Sequence, residues 1–193
     1  MRSSGPKPAA WLLLAGLLSL GMVPVSGQEA ETSAGVPAVA RLYATPEALS
    51  AFLKKEMVFR EDREIFGRSD YWQPPEEFLR RRQGDCEDYA LLTQAVLERQ
   101  GREAFVFSLY GPGYAHTVCL FREGGRYHIF NQDKVIRCSA ASLEEAASFL
   151  CPHWEWGALA RRFGRRGRSL RRIQRAQAPG AASAGRSQNP VAF

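Results

Sequence analysis

Cys86 is the first residue whose position along the chain suggests chemistry. It follows Asp85, a preferred helix-capping residue, so it is expected in the first turn of a helix over residues 86–100. Unpaired backbone N–H groups and the helix dipole favour an anion in that turn. A thiol there ionises more readily, and the same N–H groups can stabilise an oxyanion. The pattern indicates a nucleophilic cysteine, although a small buried cysteine would produce the same pattern.

A nucleophilic cysteine needs a base, and the base needs an orienting group. His116 opens a predicted strand downstream of Cys86, and residues 123–126 (Glu-Gly-Gly-Arg) predict a hairpin turn after that strand. The register centred on this turn pairs residues whose numbers sum to 249. It places His116 opposite Asp133 and one diagonal step from Asn131. Either of the two side chains could then hold the imidazole.

The predicted secondary structure that positions these residues changes from helices to strands along the chain. Apolar residues first recur at helical spacing, and they alternate with period two after Gly101. The predicted helices cover residues 46–57, 74–82, 86–100 and 142–150, and the predicted strands cover residues 104–109, 116–121 and 127–131. Helices followed by an antiparallel sheet predict an α+β fold in a single domain over residues 45–156.

The first 27 residues have the pattern of a secretory signal peptide. Arg2 and Lys7 precede an apolar run that ends in small residues near Gly27. We expect cleavage at that point and an exported protein, periplasmic or secreted. Residues 28–44 show no periodicity and are expected to form a linker.

The basic charge of the chain belongs to its C-terminal tail. Residues 157–193 contain nine arginines and no acidic residue, whereas residues 28–156 contain 15 basic and 20 acidic residues. Nucleic acid is therefore not an expected partner of this exported protein. The tail is predicted to be largely disordered. The alternative is a basic amphipathic helix that lies on an anionic membrane or on a cell-envelope polymer.

Export to an oxidising compartment raises the question of disulfides. Cys86, Cys119, Cys138 and Cys151 allow three full pairings, and their spacing does not decide among them. Cys138 and Cys151 flank a predicted helix and are the easiest pair to bridge.

Three segments together resemble a known family. They are Asp70-Tyr71-Trp72-Gln73-Pro74-Pro75-Glu76-Glu77, Gly84-Asp85-Cys86-Glu87-Asp88-Tyr89-Ala90 and Ala115-His116-Thr117-Val118. Over residues 45–140 the chain is similar to the transglutaminase-like superfamily, and most similar to the bacterial transglutaminase-like cysteine peptidases. The resemblance implies a papain-like α+β fold, with the catalytic cysteine at the N-terminus of a helix packed on an antiparallel sheet.

The resemblance also assigns a Cys-His-Asn/Asp triad. Cys86 matches the nucleophile, His116 the base and Asn131 the third member, where the family more often has an aspartate. Asp133 remains the alternative third member. Asparagine can orient a neutral imidazole, but it stabilises an imidazolium less well than a carboxylate does.

In several relatives an additional side chain, often an indole or an amide, helps the oxyanion hole. Trp72 and Gln73 are the oxyanion candidates. The alternative role for both is packing of the loop in which they lie.

Asp85, Glu87 and Asp88 surround the candidate nucleophile. A helix cap, a favourable charge in the first turn and a salt bridge to Arg81 or Arg82 account for them, so no cofactor is expected. The alternative comes from the resemblance to a calcium-dependent periplasmic protease subgroup, in which such acids coordinate calcium. Zinc is not expected, because no Cys or His pair has the usual zinc-ligand spacing.

The expected activity is hydrolysis of peptide or amide bonds in a protein or peptide substrate, through a thioester acyl-enzyme. One alternative is transglutaminase-type transfer of the acyl group to an amine. The other is a non-catalytic envelope-binding module whose function depends on the arginine-rich tail.

Overall fold

Helices pack on both faces of an antiparallel sheet in the computed structural model, which describes residues 35–161 and 169–175. The helices are α1 (Val36–Leu42), α2 (Pro46–Glu56), α3 (Asp62–Phe66), α4 (Pro75–Arg81), α5 (Cys86–Arg99) and α6 (Leu143–Leu150). The strands are β1 (Val58–Phe59), β2 (Gln83–Gly84), β3 (Ala104–Gly111), β4 (Tyr114–Glu123), β5 (Arg126–Asn131), β6 (Lys134–Ala140), β7 (Trp156–Arg161) and β8 (Ser169–Gln174). The predicted α+β fold is confirmed.

Among the described residues, the main sheet has six strands in the order β6-β5-β4-β3-β7-β8, and every neighbouring pair is antiparallel. β1 and β2 form a separate short parallel pair. Because β4 lies at the centre of the sheet beside both β3 and β5, a residue on β4 can reach side chains from either neighbour.

α5 covers one face of this sheet. Leu92 and Val96 of α5 are fully buried in one core cluster with Val106 and Cys119 of the strands. Successive strand residues point to opposite faces, so Phe107 and the other alternate residues form a second cluster with α6. Burial of both faces accounts for the near-continuous apolar runs in β3 and β4.

The hairpin between β4 and β5 has the predicted register. Leu120 pairs with Ile129 and Cys119 with Phe130, so the paired numbers sum to 249 as expected. The chain then turns earlier than predicted, because Asn131 already pairs with Lys134 of β6. Asp133 therefore lies in a turn, and the predicted pairing of His116 with Asp133 is wrong.

The predicted linker contains α1, which is part of the core. Val36, Val39 and Ala40 of α1 are buried in the cluster of α5. The Gln100 side chain donates to the carbonyl oxygens of Ala40 and Tyr43, at 3.2 and 2.8 Å. A seven-residue helix has too few turns to show apolar periodicity in the sequence, which is why it was predicted as linker. The signal-peptide prediction, residues 1–27, and residues 28–34 lie outside the described part of the chain.

The predicted domain end at residue 156 is also wrong. β7 begins there and pairs with β3, and β8 pairs with β7 in the segment predicted as disordered or helical. Ile173 of β8 is buried in the second core cluster. The sequence does not reveal this hairpin for two reasons. Its composition is rich in arginine, and its pairing with β3 is a long-range interaction. The rest of the predicted tail, residues 162–168 and 176–193, lies outside the described part of the chain.

The four cysteines are free thiols. Cys138 contacts the Tyr127 carbonyl oxygen at 3.3 Å, and Cys151 contacts the Tyr114 hydroxyl at 2.5 Å. Tyr127 pairs with Arg122, eight residues along β4 from Tyr114, which corresponds to roughly 27 Å of strand. The two thiols expected to bridge most easily are thus held by partners at opposite ends of β4, and that bridge is absent.

Within residues 35–161 and 169–175, no helix has the length and apolar content needed to cross a membrane.

The position of α1 gives a test of the domain boundary. We expect Val39→Ala to lower the free energy of unfolding by about 1–3 kcal/mol, because Val39 is 2% exposed and its loss leaves a cavity. Leu42→Ala in the same helix should change it by less than about 0.5 kcal/mol, because Leu42 is 59% exposed. Urea denaturation of both variants measures the difference. Equal effects would contradict the packing of α1 on the core.

Candidate active site

Cys86 is the first residue of α5 and lies against β4. Its thiol donates to Glu87 Oε2 at 3.2 Å, and the Thr117 N–H and hydroxyl are also hydrogen-bond partners of the sulfur. The Thr117 hydroxyl is buried and lies 2.8 Å from the Ser108 hydroxyl on β3. The half-buried sulfur is thus held between the first turn of the helix and the backbone of a central strand.

The surroundings of Cys86 do not favour the thiolate. Burial is the largest effect and raises the pKa of the thiol above its ordinary value. The hydrogen bonds from Thr117 and with Glu87 lower the pKa, and the negative charge of Asp85 raises it. The expected stabilisation at a helix start is therefore outweighed by burial beside acidic residues.

His116 and Asn131 are in contact. His116 Nε2 lies 2.7 Å from Asn131 Oδ1, across the two strands that the sequence predicted to bring these residues together. With the carbonyl oxygen of Asn131 facing the ring, Nε2 donates the hydrogen bond, and Nδ1 is the acceptor nitrogen of the neutral imidazole. His116 directly precedes Thr117, the residue against which the Cys86 thiol lies.

Asp133, the alternative partner of His116, lies near other groups. Its backbone carbonyl accepts from the Ser50 hydroxyl at 2.5 Å. Its carboxylate lies close enough to Tyr89 to add to the effect of burial, which raises the pKa of that phenol to about 12. Among the described residues, the hydrogen-bond partner of the His116 ring is Asn131.

Neither oxyanion candidate has its donor free for an oxyanion. Gln73 is fully buried, and its side-chain amide donates to the Gln83 carbonyl at 2.9 Å and to Asp88 Oδ2 at 2.5 Å. The Trp72 indole N–H donates to Asp70 Oδ1 at 2.9 Å. Both residues therefore hold the loop before α4 in place, which is the alternative role that the sequence allowed.

Gly84 is required by the close packing of this loop on α5. A side-chain carbon at Gly84 would collide with the carboxylate of Asp88 and the amide of Gln73. Asp88 Oδ1 accepts from the Gln73 backbone N–H at 2.7 Å, and Oδ2 accepts from the Asp85 N–H at 3.3 Å. The glycine two residues before Cys86 thus lets Asp88 join the loop to the start of the helix.

The three acidic residues predicted around Cys86 are joined by two more. Carboxylate oxygens of Asp62, Asp85 and Asp88 lie within 4.8 Å of one another, and so do those of Asp62, Asp70 and Glu87. Asp62 and Asp70 could not be predicted from the sequence, because they are distant from Cys86 along the chain and no fixed spacing links them to it. The only local signal is that Asp70 opens the first of the three family-like segments.

The predicted salt bridges to this acidic cluster are wrong. Arg81 pairs with Glu77 at 3.0 Å, and Arg82 pairs with Glu56 at 2.6 Å. No basic side chain in the described ranges forms an ion pair with Asp85, Glu87 or Asp88. Their charge is therefore not neutralised by the arginines that precede them.

Burial makes these carboxyl groups hard to ionise. It is the largest effect in each case and raises the pKa of Glu87 to about 11, of Asp88 to about 7 and of Asp62 to about 6. A hydrogen bond with Asp85 further raises the pKa of Glu87. One buried oxygen of Asp62 and one of Asp85 have no hydrogen-bond partner. Clustered, partly unsatisfied carboxylates are the ligand set that a hard divalent cation such as calcium prefers, so the residues fit calcium.

The family model for a transglutaminase-like domain matches residues 42–140. No curated protein matches the chain by sequence. The chain is similar to calcium-bound LapG of Legionella pneumophila, at 21% identity over 71% of this chain and 72% of that chain, with a TM-score of 0.45. It is also similar to EGTA-treated LapG, at 20% identity over 70% and 71% of the two chains, with a TM-score of 0.43.

The protonation of Glu87 predicts an unusual pH dependence of stability. The pKa of Glu87 in the folded chain lies above its ordinary value of 4.5, so the stability contributed by the protonated group is lost as the pH rises from 4.5 towards about 11. In EGTA we therefore expect the free energy of unfolding of Glu87→Gln to be about 1–3 kcal/mol higher than that of the unaltered chain near pH 8. Near pH 4 the two should differ little.

Urea denaturation across this pH range measures the effect. Glu76→Gln, an exposed carboxyl in α4, should behave like the unaltered chain at every pH. A constant difference between Glu87→Gln and the unaltered chain from pH 4 to pH 8 would contradict the protonation of Glu87.

Proposed function

This chain belongs to the transglutaminase-like family, and we propose that it is an exported cysteine hydrolase of peptide or amide bonds. The observation that supports this most strongly is the 2.7 Å contact between His116 and Asn131, because His116 directly precedes Thr117, the β4 residue that contacts the Cys86 thiol. It supplies a base with a fixed tautomer, one residue along β4 from Thr117, which contacts a cysteine at a helix start. Export rests on the signal-peptide pattern of residues 1–27.

The first step of the proposed mechanism forms the acyl-enzyme. The Cys86 thiol gives its proton to His116 Nδ1, and the sulfur attacks the substrate carbonyl carbon. The carbonyl oxygen takes the electron pair and faces the N–H groups of the first turn of α5. When the tetrahedral intermediate collapses, His116 donates the proton to the leaving amine, and a thioester on Cys86 remains.

The second step uses the same residues in reverse. His116 Nδ1 takes a proton from a water molecule, whose oxygen attacks the thioester carbon. Collapse of this intermediate releases a carboxylic acid and returns the proton to the Cys86 sulfur. Throughout, Asn131 Oδ1 accepts the hydrogen bond from Nε2–H and keeps the imidazole ring in one orientation. If an amine replaces water in this step, the product is an amide, as in transglutaminase chemistry.

Asp85, Glu87 and Asp88, with Asp62 and Asp70, would hold a calcium ion. When bound, the ion supplies positive charge that balances the carboxylates and favours the thiolate of Cys86. Without it, burial raises the pKa values of Glu87, Asp88 and Asp62, and the charge of Asp85 raises the pKa of Cys86.

Alkylation of Cys86 tests the nucleophile and its dependence on calcium. We expect iodoacetamide to modify Cys86 near pH 7 about tenfold faster in millimolar calcium than in EGTA, because each unit of pKa changes the thiolate fraction tenfold. His116→Ala should remove most of the reactivity in calcium. The rate is measured on the Cys86 peptide by mass spectrometry, and the Cys151 peptide is the internal control. Equal rates in calcium and EGTA would contradict the calcium effect, and an unreactive Cys86 would contradict the hydrolase.

Cleavage of a proteome-derived peptide library tests the third residue of the triad. Cys86→Ser should abolish cleavage. Asn131→Ala should lower the rate by about 10- to 100-fold, and Asn131→Asp should retain most of it, since a carboxylate can also hold the imidazole. Asp133→Asn is the matched control and should cleave at the unaltered rate. A loss with Asp133→Asn as large as that with Asn131→Ala would contradict the assignment of Asn131.

A primary amine added to the same digest separates the two acceptors. Free carboxylates at the new C-termini indicate hydrolysis, whereas amine-capped C-termini indicate acyl transfer.

A further inference from the structure

Two cross-strand rows run from the candidate nucleophile across the α5 face of the sheet. The strand registers align Thr117, Ser108, Ala158 and Arg172 in one row and Ala115, Tyr110, Trp156 and Gln174 in the next. Thr117 contacts the Cys86 thiol. Residues of both rows therefore share the sheet face that the Cys86 thiol contacts.

Tyr110, Trp156 and Arg172 form a stack on these rows. The rings of Tyr110 and Trp156 are parallel, with centroids 3.8 Å apart and planes at 9°. The Arg172 guanidinium lies 4.4 Å from the centroid of the Trp156 ring. The order of the stack leads away from β4, from Tyr110 on β3 to Trp156 on β7 and then to Arg172 on β8.

This part of the sheet face lies beyond the start of α5. The helix covers the opposite side of Cys86, where Val106 and Cys119 are fully buried beneath it. On the side of the stack, Ala115 is exposed, Tyr110 and Trp156 are half-buried, and Arg172 is exposed. A substrate bound at Cys86 can therefore extend over the stack.

Among the described residues, Arg172 stacks on an indole and forms no ion pair, whereas other arginines at the sheet are held by carboxylates or backbone carbonyls. Arg137 pairs with Glu47 and Glu123, and Arg175 donates to the Pro152 carbonyl at 2.6 Å. No carboxylate within residues 35–161 and 169–175 forms an ion pair with Arg172. A guanidinium that stacks on an indole keeps its N–H edge free, and that edge matches a carboxylate with two parallel hydrogen bonds.

The spacing of the strands sets the position of this cation along a substrate. Arg172 lies three strands from Thr117, which is about 14 Å at the usual strand separation. An extended peptide that crosses the strands covers this distance in about four residues.

We propose that Tyr110, Trp156 and Arg172 form a binding subsite for an acidic side chain of an extended peptide substrate, about four residues from the cleaved bond. The peptide lies over the aromatic stack, and its carboxylate pairs with the guanidinium of Arg172. This subsite rests on the proposed hydrolase function, because that function places a peptide at Cys86.

Peptide binding to the full chain with Cys86→Ala tests the subsite without turnover. The probes are two fluorescein-labelled decapeptides in millimolar calcium, one with glutamate at alternate positions and one with glutamine in its place. We expect the glutamate peptide to bind more tightly, and Arg172→Glu to weaken its binding about fivefold or more, as measured by fluorescence anisotropy. Binding of the glutamine peptide should change much less.

Arg171→Glu is the matched control. Arg171 is the exposed neighbour of Arg172 on β8, and it points to the opposite face of the sheet. This variant carries the same change in net charge and should bind the glutamate peptide as the parent does. Equal weakening by both variants, or equal binding of both peptides by the parent, would overturn the subsite.

A digest of a peptide library separates failure of the subsite from failure of the hydrolase. We expect cleaved peptides to be enriched in Asp or Glu about four residues from the cleaved bond, and the enrichment to disappear in Arg172→Ala but not in Arg171→Ala. Cleavage without this enrichment would leave the hydrolase intact and overturn the subsite. Absence of cleavage, together with binding that is lost only in the Arg172 variant, would overturn the hydrolase alone.

Discussion

The carboxylate of Asp88 links the loop before α4 to the first turn of α5 through hydrogen bonds, and the geometry of the site depends on this link. Its two oxygens accept hydrogen bonds from the Gln73 backbone, the Gln73 side chain and the Asp85 backbone. The missing side chain of Gly84 leaves room for the carboxylate. A buried carboxyl with three donors is costly to disturb, because removing it leaves each donor without a partner. The start of α5, and with it the Cys86 thiol, is therefore held at one place against β4.

Local rules predicted the parts of the site that depend on neighbouring residues. A capping aspartate places Cys86 at the first position of its helix, and a Gly-Gly turn fixes the register that brings His116 to Asn131. These features need only the residues within one helix start and one hairpin. The turn at Asp133 was missed because β5 ends at Asn131, which already pairs with Lys134 of β6. β5 therefore stops before it reaches the residue opposite His116.

Features that depend on distant parts of the chain could not be predicted in the same way. Asp62 enters the acidic cluster because the chain folds back on α5, and the burial that raises the pKa of Cys86 arises only when α5 packs on the sheet. The same holds at the two ends of the domain. α1 is too short to show a period, and β8 is recognisable only once β7 offers it a partner. Composition alone made both segments resemble linker or tail.

The position of β8 at the edge of the sheet has a consequence for association between molecules. An edge strand exposes unpaired backbone groups that can recruit a strand from another copy and begin aggregation. β8 carries two consecutive exposed arginines, Arg171 and Arg172, which lie on opposite faces of the sheet. A second copy approaching this edge would bring its own arginines against them. Like-charge repulsion thus opposes pairing of two copies along this edge of the described sheet, most strongly at low ionic strength, where the charges are least screened.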